Sequence, residues 1–366
     1  MECNIDILIA GCSTNCRHCY VEGGPERAMS TVDVEYILKR LQRLLPKLED
    51  IGLEVEVTLD NEPINHPDAL KVYEWANRYL GDYYFHHGST TGIPIVNHAD
   101  GKALLDRLLE YGYKEVSLTV HGGLINHNRV VQNVNGMQTL IKAAKLYAEN
   151  GFRVGLSLML GKYLIEDRDE VTELIKSIPH DYVYFAITNF TPTPRMMEYQ
   201  KHRVTLEDVR KLKEYLHAWG CDEKALMERF EANNQHKFAQ RLQKLNVWKD
   251  LDMGGERLYL SIDSALDLSI GNAGVRTKLL GNLRTLLDED ILRLLSDVGA
   301  NDINWASYFE KESLPDFKDF VTTVSSKNEH NKIYPDMDSF LSYHLMSSGI
   351  KHKEYGRELC SSSSFL

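Results

Sequence analysis

Three cysteines crowd into eight residues of this chain: Cys12, Cys16 and Cys19, spaced C-x3-C-x2-C in GCSTNCRHCY. Thiolates are soft ligands that bind zinc and iron–sulfur centres. Iron–sulfur clusters usually take four thiolates. A cubane held by three leaves one iron open to another ligand, as a catalytic zinc keeps one position open. Zinc is the competing reading. A zinc knuckle pairs C-x2-C with a second Cys or His pair. His18, between two of the cysteines, is poorly placed for that, and a His86-His87 pair lies elsewhere. Spacing favours a cluster and leaves both readings standing. Cys3, Cys221 and Cys360 are scattered. A disulfide framework would spread through a smaller secreted chain, so a tight group points to metal.

The elements around this loop set where it sits. An apolar strand, IDILIA at 5–10, leads into the loop 11–29. Ser30 and Thr31 then open a helix with Val34, Ile37, Leu38, Leu41, Leu44 and Leu45 at helical spacing. LEVEVTLD at 53–60 alternates as a strand and ends in the turn Asn61-Glu62-Pro63. Further strands are expected at 83–86, 115–120, 153–160 and 182–187, with helices near 67–80, 101–111, 136–150 and 168–177. Six strands alternating with helices predict a parallel sheet with crossover helices. A closed barrel needs about eight such units, so the expected fold is an α/β, partial (β/α)6 TIM-like barrel. After Pro194 the pattern changes. Residues 205–245 read as charged helix without strands, and 256–270 as a β-hairpin about an Asp-Ser turn. The tail from 284 reads as mostly helical. The expected division is a core at 1–200, a helical linker at 201–255, a hairpin at 256–290 and a helical tail at 291–366. The last two form a small C-terminal α+β extension.

Composition narrows the class. A chain of 366 residues with 43% hydrophobic and 26% charged residues reads as an ordinary globular protein. Its net charge of −11 argues against general nucleic-acid binding. No apolar run approaches the ~20 residues that span a bilayer. The start, MECNIDILIAGC, lacks a basic n-region and a cleavage site. A cytoplasmic protein with no membrane partner is expected.

The cysteine loop, with aromatic Tyr20 after the third cysteine and an apolar strand before the first, resembles the signature of the radical SAM superfamily. The resemblance implies a 4Fe–4S cluster on Cys12, Cys16 and Cys19 whose open iron chelates S-adenosylmethionine. Reductive cleavage would then give a 5′-deoxyadenosyl radical that abstracts a substrate hydrogen atom. An external one-electron reductant such as flavodoxin or ferredoxin is implied too. TLDNEPINHPD at 58–68 resembles the family's Gly-Gly-Glu-Pro segment, with Asp60 and Asn61 in place of the glycines and Glu62 retained. Asn tolerates unusual backbone angles, which makes Asn61 the more understandable of the two. EVSLTVHGG at 115–123 resembles the family's hydroxyl-bearing strand. Ser117, Thr119 and His121 share one face of it by alternation. INHNRVVQNVNG at 125–136 resembles a cofactor loop, in which Arg129 could pair with the cofactor carboxylate. Ser157 lies on the next strand. Asn189, Thr191 and Thr193 follow the sixth strand, at the end where barrels bind ligands, and are candidate substrate contacts.

The stretch 257–283 resembles a SPASM or twitch hairpin, with Gly271-Asn272 and Leu280-Gly281-Asn282 in place and Ser269 at the cysteine position. Too few cysteines remain for an auxiliary cluster. One cluster favours redox-neutral outcomes: epimerisation, rearrangement or elimination. Cys221 is a candidate hydrogen donor, although a lone helical Cys more often packs. The expected substrate is a small biosynthetic intermediate or a peptide. The alternatives are a ribosomal-peptide maturase that works with a separate peptide-recognition partner, and a non-catalytic iron–sulfur or zinc module. The first strand begins almost at once, which is read as leaving no peptide-recognition domain ahead of it.

Overall fold

The computed structural model describes residues 1–19, 24, 28–86, 88–190, 194–248, 257–272, 275–296, 314–326 and 331–350. Its centre is a run of parallel strands. β1 (Glu2–Ala10) pairs with β2 (Glu54–Asn61), which pairs with β3 (Tyr84–Phe85). β4 (Ser89–Thr90), β5 (Glu115–Val120), β6 (Arg153–Met159) and β7 (Tyr182–Ala186) continue the order in a second sheet. Alternation decides the layers. Cys3, Ile5, Ile7 and Ile9 of β1 are buried in the main core, while Asn4, Asp6 and Leu8 are half-buried on the other face. Helices α1 (Thr31–Asp50) and α2 (Ala69–Leu80) bury apolar stripes, Val34 to Leu48 and Val72 to Leu80, in the same core. The partial barrel expected from the sequence is observed, and no closed barrel forms among the described residues.

Two local expectations change. The third strand is broken. β3 belongs to the first sheet and β4 to the second, and Gly88 carries the chain between them. The Ser117 amide donates to the Gly88 carbonyl at 2.8 Å. A Cβ at Gly88 would lie 2.6 Å from the Glu115 carbonyl oxygen, so only glycine fits this close approach. The expected loop at 125–136 is largely helix: α3 spans Leu124–Val131. Asn and His are poor helix interiors, which hid it. Its first amides are held by acids from a neighbouring segment, Gly123 N–H to Asp167 and Leu124 N–H to Glu170, both at 2.8 Å. Anions are favoured at a helix N-terminus.

The C-terminal hairpin joins the barrel. β8 (Arg257–Ile262) pairs in parallel with β1, and β9 (Asp267–Asn272) and β10 (Val275–Asn282) extend the sheet antiparallel. The turn is where the sequence puts it: Asp263 Oδ1 accepts from the Ala265 and Asp267 amides at 2.8 and 3.1 Å. The described part of the tail is helical, at Asp288–Ser296, Phe317–Ser326 and Met337–Ser347. Phe238, Leu242, Phe317, Phe320, Tyr334 and Phe340 form a second, smaller core. Arg203 ties that core to the barrel. Its guanidinium donates to Gln200 Oε1, the Ile333 carbonyl and the Thr188 carbonyl just past β7, and lies 4.6 Å above the Tyr334 ring. No helix among the described residues is long and apolar enough to cross a membrane.

Candidate active site

The cysteine loop leaves the C-terminal end of β1, where barrel folds place ligands. It is pinned from several sides. Asn65 Nδ2 donates to the Gly11 carbonyl at 2.8 Å, and Ser13 Oγ donates to Asn65 Oδ1 at 2.7 Å. The Ser13 amide donates to Glu62 Oε2 at 3.4 Å. Arg17 N–H reaches the Val130 carbonyl of α3 at 2.9 Å. Arg195 donates to Asn15 Oδ1 at 2.8 Å and to the Cys16 carbonyl at 3.3 Å. At the return of the loop, His66 Nδ1 accepts from the Asp68 amide. Its Nε2–H therefore donates to the Met29 carbonyl, at 2.8 Å.

Cys12, Cys16 and Cys19 are outside any disulfide and partly buried. Burial, then Glu62, the neighbouring cysteines and Asp60 push the Cys12 thiol far above its ordinary range. Burial likewise pushes Cys16 up to about 11; the bond to Thr14 at 3.2 Å and Arg195 oppose the shift. Two carboxylates beside buried thiols disfavour empty thiolates. A bound cation reverses that balance, because metal binding deprotonates its thiols. The donor set, three uncrosslinked cysteines on one loop, fits a three-thiolate centre. Among the described residues, no group of three His, Cys, Asp or Glu side chains is gathered as a single ion requires.

The second station is the end of β2. Glu62 is buried and accepts from Thr90 Oγ1, from the Thr91 amide at 2.7 Å, from Thr91 Oγ1 at 2.8 Å and from Asn65 Nδ2 at 3.1 Å. It locks the loop to β2 and to the turn after β4. Asn61 sits in the left-handed region at φ 66°, where asparagine is tolerated. Its Oδ1 is buried without a hydrogen-bond partner. Such an acceptor suits a ligand that donates hydrogen bonds. Burial raises the Asp60 carboxyl, and the Asn61 amide opposes this.

The third station is β5 and β6. Ser117 and Ser157 are buried and Thr119 is half-buried. Thr119 lies opposite Ser157, and Ser157 opposite Tyr184, so these side chains share the face turned away from Leu118 and Leu158 of the core. Ser117 Oγ meets the Tyr184 hydroxyl at 2.6 Å. His121 continues that face to the cysteine loop, its ring 4.3 Å from that of His18 and 5.5 Å from that of His127. Burial lowers all three, His18 and His127 to about 4 and His121 further; His127 and Arg195 add to the shift at His18, and His18 and His127 to that at His121. They form a neutral wall. His18, read from the sequence only as a misplaced zinc ligand, is part of it; His127 lay in the 125–136 motif but was not singled out, and Arg195, Thr90 and Thr91 carried no motif.

Other candidates fall elsewhere. Arg129 is exposed on α3 and donates to Asn126 Oδ1 at 3.3 Å. The guanidinium that hydrogen-bonds to the cysteine loop is that of Arg195. Asn189 is half-buried just past β7. Cys221 lies on the helix side of β7, packed against the core beside Trp219, its thiol 3.6 Å from the Trp219 carbonyl and 4.0 Å from the Val183 carbonyl. Trp219 in turn meets Phe185, which points away from the Tyr184 face. The structure does not bring Cys221 to the site. Tyr20, Thr191 and Thr193 lie outside the described residues.

Residues 7–178, from β1 to the end of the helix before β7, match the Radical SAM superfamily. These residues are a radical SAM domain. A chain that carries this domain is an enzyme, and the domain's cofactors are a 4Fe–4S cluster and S-adenosylmethionine. No curated protein sequence matches the chain. Among solved structures it is similar to anSMEcpe with bound AdoMet and the Kp18Cys peptide, at TM-score 0.56 and 13% identity, over 95% of this chain and 98% of that one. It is also similar to SuiB from Streptococcus suis bound to the precursor peptide SuiA, at TM-score 0.50 and 16% identity, over 92% and 75% of the two chains. At these identities the likeness is one of fold.

Proposed function

We propose that this enzyme uses Cys12, Cys16 and Cys19 to hold its single cluster and abstracts a hydrogen atom from a peptide or small biosynthetic substrate, with a redox-neutral outcome. The observation that carries the reading is the three-thiol loop meeting an orphaned buried acceptor, Asn61 Oδ1, beside the end of β2. When bound, the cluster and S-adenosylmethionine supply the 5′-deoxyadenosyl radical. The chain's residues do the rest. Asn61 and the carbonyls beside Asp60 take the cofactor ammonium. Glu62 holds that turn and the cysteine loop in one frame. Ser117, Thr119 and Ser157 offer hydroxyls along the sugar and methionyl portion, and Tyr20, next in sequence to the third cysteine, is a further candidate for cofactor contact. His121, with His18 and His127, walls the site with neutral rings and keeps water away from a radical. Asn189, Thr191 and Thr193 belong at the substrate end. Arg195 positions the loop, and nothing in the geometry favours Arg129 as the carboxylate partner.

The absence of a cysteine at Ser269 supports a single cluster. Without a second electron acceptor, the substrate radical is most simply resolved by rearrangement, elimination or hydrogen return. The peptides bound to both similar structures favour a peptide substrate over a small molecule.

The test is anaerobic reconstitution with iron and sulfide, then dithionite and S-adenosylmethionine. The expected product is 5′-deoxyadenosine. Changing Cys12, Cys16 or Cys19 singly to Ala should remove both iron and product. Cluster spectra that ignore added S-adenosylmethionine would sink the proposal.

A further inference from the structure

One charged concavity lies outside the site. It is lined by Lys162, Lys201, Lys211 and Lys332, with Arg203 at its base, against only two carboxylates, Glu166 and Asp208. The chain around it carries a net charge of −11, so this concentration of cations runs against the whole molecule. Lys162, Lys201 and Lys211 reach nearby carboxylates, but their side chains stay 54% exposed or more, so those pairs neutralise them weakly. Lys332 is half-buried, meets the Gln200 carbonyl at 3.5 Å and the Tyr343 ring face, and has no carboxylate partner among the described residues.

A second observation ties this surface to the cysteines. Tyr163 and His202, next in sequence to Lys162 and Lys201, stand with ring centroids 4.6 Å apart. His202 lies 5.4 Å from Tyr199, and Tyr199 lies 5.5 Å from His18, the residue between Cys16 and Cys19. Packed rings therefore run without a break from the rim of the basic concavity into the cysteine loop.

We propose that the concavity of Lys162, Lys201, Lys211 and Lys332 is the docking site of an acidic one-electron donor protein, set where packed rings lead to the cluster loop. The inference rests on the radical SAM reading above. One electron leaves the donor's reduced flavin or iron–sulfur centre and enters the cluster, and no bond or proton moves at the docking step. The chemistry fits an encounter of this kind: such interfaces are small, transient and steered by charge. An acidic substrate peptide is the competing occupant, and the ring series, which a peptide site does not need, argues for the donor.

The probe is flavodoxin, titrated calorimetrically into the reconstituted holoenzyme at low ionic strength. The double variant Lys162→Glu/Lys201→Glu should weaken binding by about tenfold or more, the scale of close charge pairs. Wild-type affinity should fall steeply with salt as the charges are screened. Iron content and dithionite-driven 5′-deoxyadenosine should stay at wild-type levels, because dithionite needs no docking. Should the double variant melt early, Lys162→Gln/Lys201→Gln carries the same test with less repulsion. An unchanged dissociation constant overturns the proposal and leaves the concavity to an acidic peptide. Loss of dithionite-driven product in wild type would instead overturn the function, whatever flavodoxin does.

Discussion

Glu62→Gln tests the frame of the site most directly. Each hydrogen-bond partner of this carboxylate among the described residues is a donor: the Ser13 and Thr91 amides, the Thr90 and Thr91 hydroxyls, and Asn65 Nδ2. A glutamine keeps one acceptor oxygen. Placed at Oε1, that oxygen retains the Thr91 amide. The new NH2 then faces the Ser13 amide and Asn65 Nδ2. Asn65 cannot turn to help, because its own Nδ2 donates to Gly11 and its Oδ1 accepts from Ser13. Two half-buried donors then meet a third. Hydrogen bonds to a charged group are worth about 1.5–3 kcal/mol each. With the Asn65 bond removed and the long Ser13 bond turned repulsive, the expected destabilisation is about 2–4 kcal/mol. Anaerobic guanidinium denaturation of the apo and reconstituted protein measures it. The cysteine loop should loosen as well, so reconstituted iron should fall even though removing the charge eases thiolate formation at Cys12, where Glu62 is the second cause of the raised pKa after burial. A destabilisation under about 0.5 kcal/mol, the scatter of neutral surface changes, would refute the reasoning.

Three further outcomes are expected. Arg203→Met strands the Thr188 and Ile333 carbonyls and should cost about 3 kcal/mol, with the tail region becoming protease-sensitive first. Asp338 is pushed up to about 7 by burial and by Asp336, and its Oδ1 is sealed although the side chain keeps some exposure. The folded state then binds more protons than the unfolded one between about pH 4 and 7, so stability falls as pH rises through that window and is level above it. Asp338→Asn should flatten that slope and gain about 1–3 kcal/mol above pH 7, well under the ceiling of a fully buried group; an unchanged slope in thermal melts would remove Asp338 as the cause. Cys221→Ala should cost about 1 kcal/mol in packing and leave 5′-deoxyadenosine and product formation intact; loss of product at normal stability would return the thiol to the pathway.

Much of this protein is written in local pattern. Alternating runs such as IDILIA and EVSLTV, and helical stripes such as Val34 to Leu45, determine the strand and helix order, because burial on one face fixes the period. The cysteine spacing points to metal binding, because three ligands on one short loop need no distant partner, and the strand before the loop adds the family resemblance that favours a cluster over zinc. Asn61 was legible for the same kind of reason, since a left-handed turn limits which residues serve. What the sequence left open depends on residues far apart in the chain. The break between β3 and β4 follows from how Gly88 meets the β5 backbone. The helix Leu124–Val131 is stabilised by acids more than 40 residues away. The hairpin's place beside β1, the side of β7 on which Cys221 packs, and the meeting of His18 with His121 and Arg195 with Cys16 are likewise facts of packing. No spacing rule links such positions, because only the closing of the sheets brings them within reach.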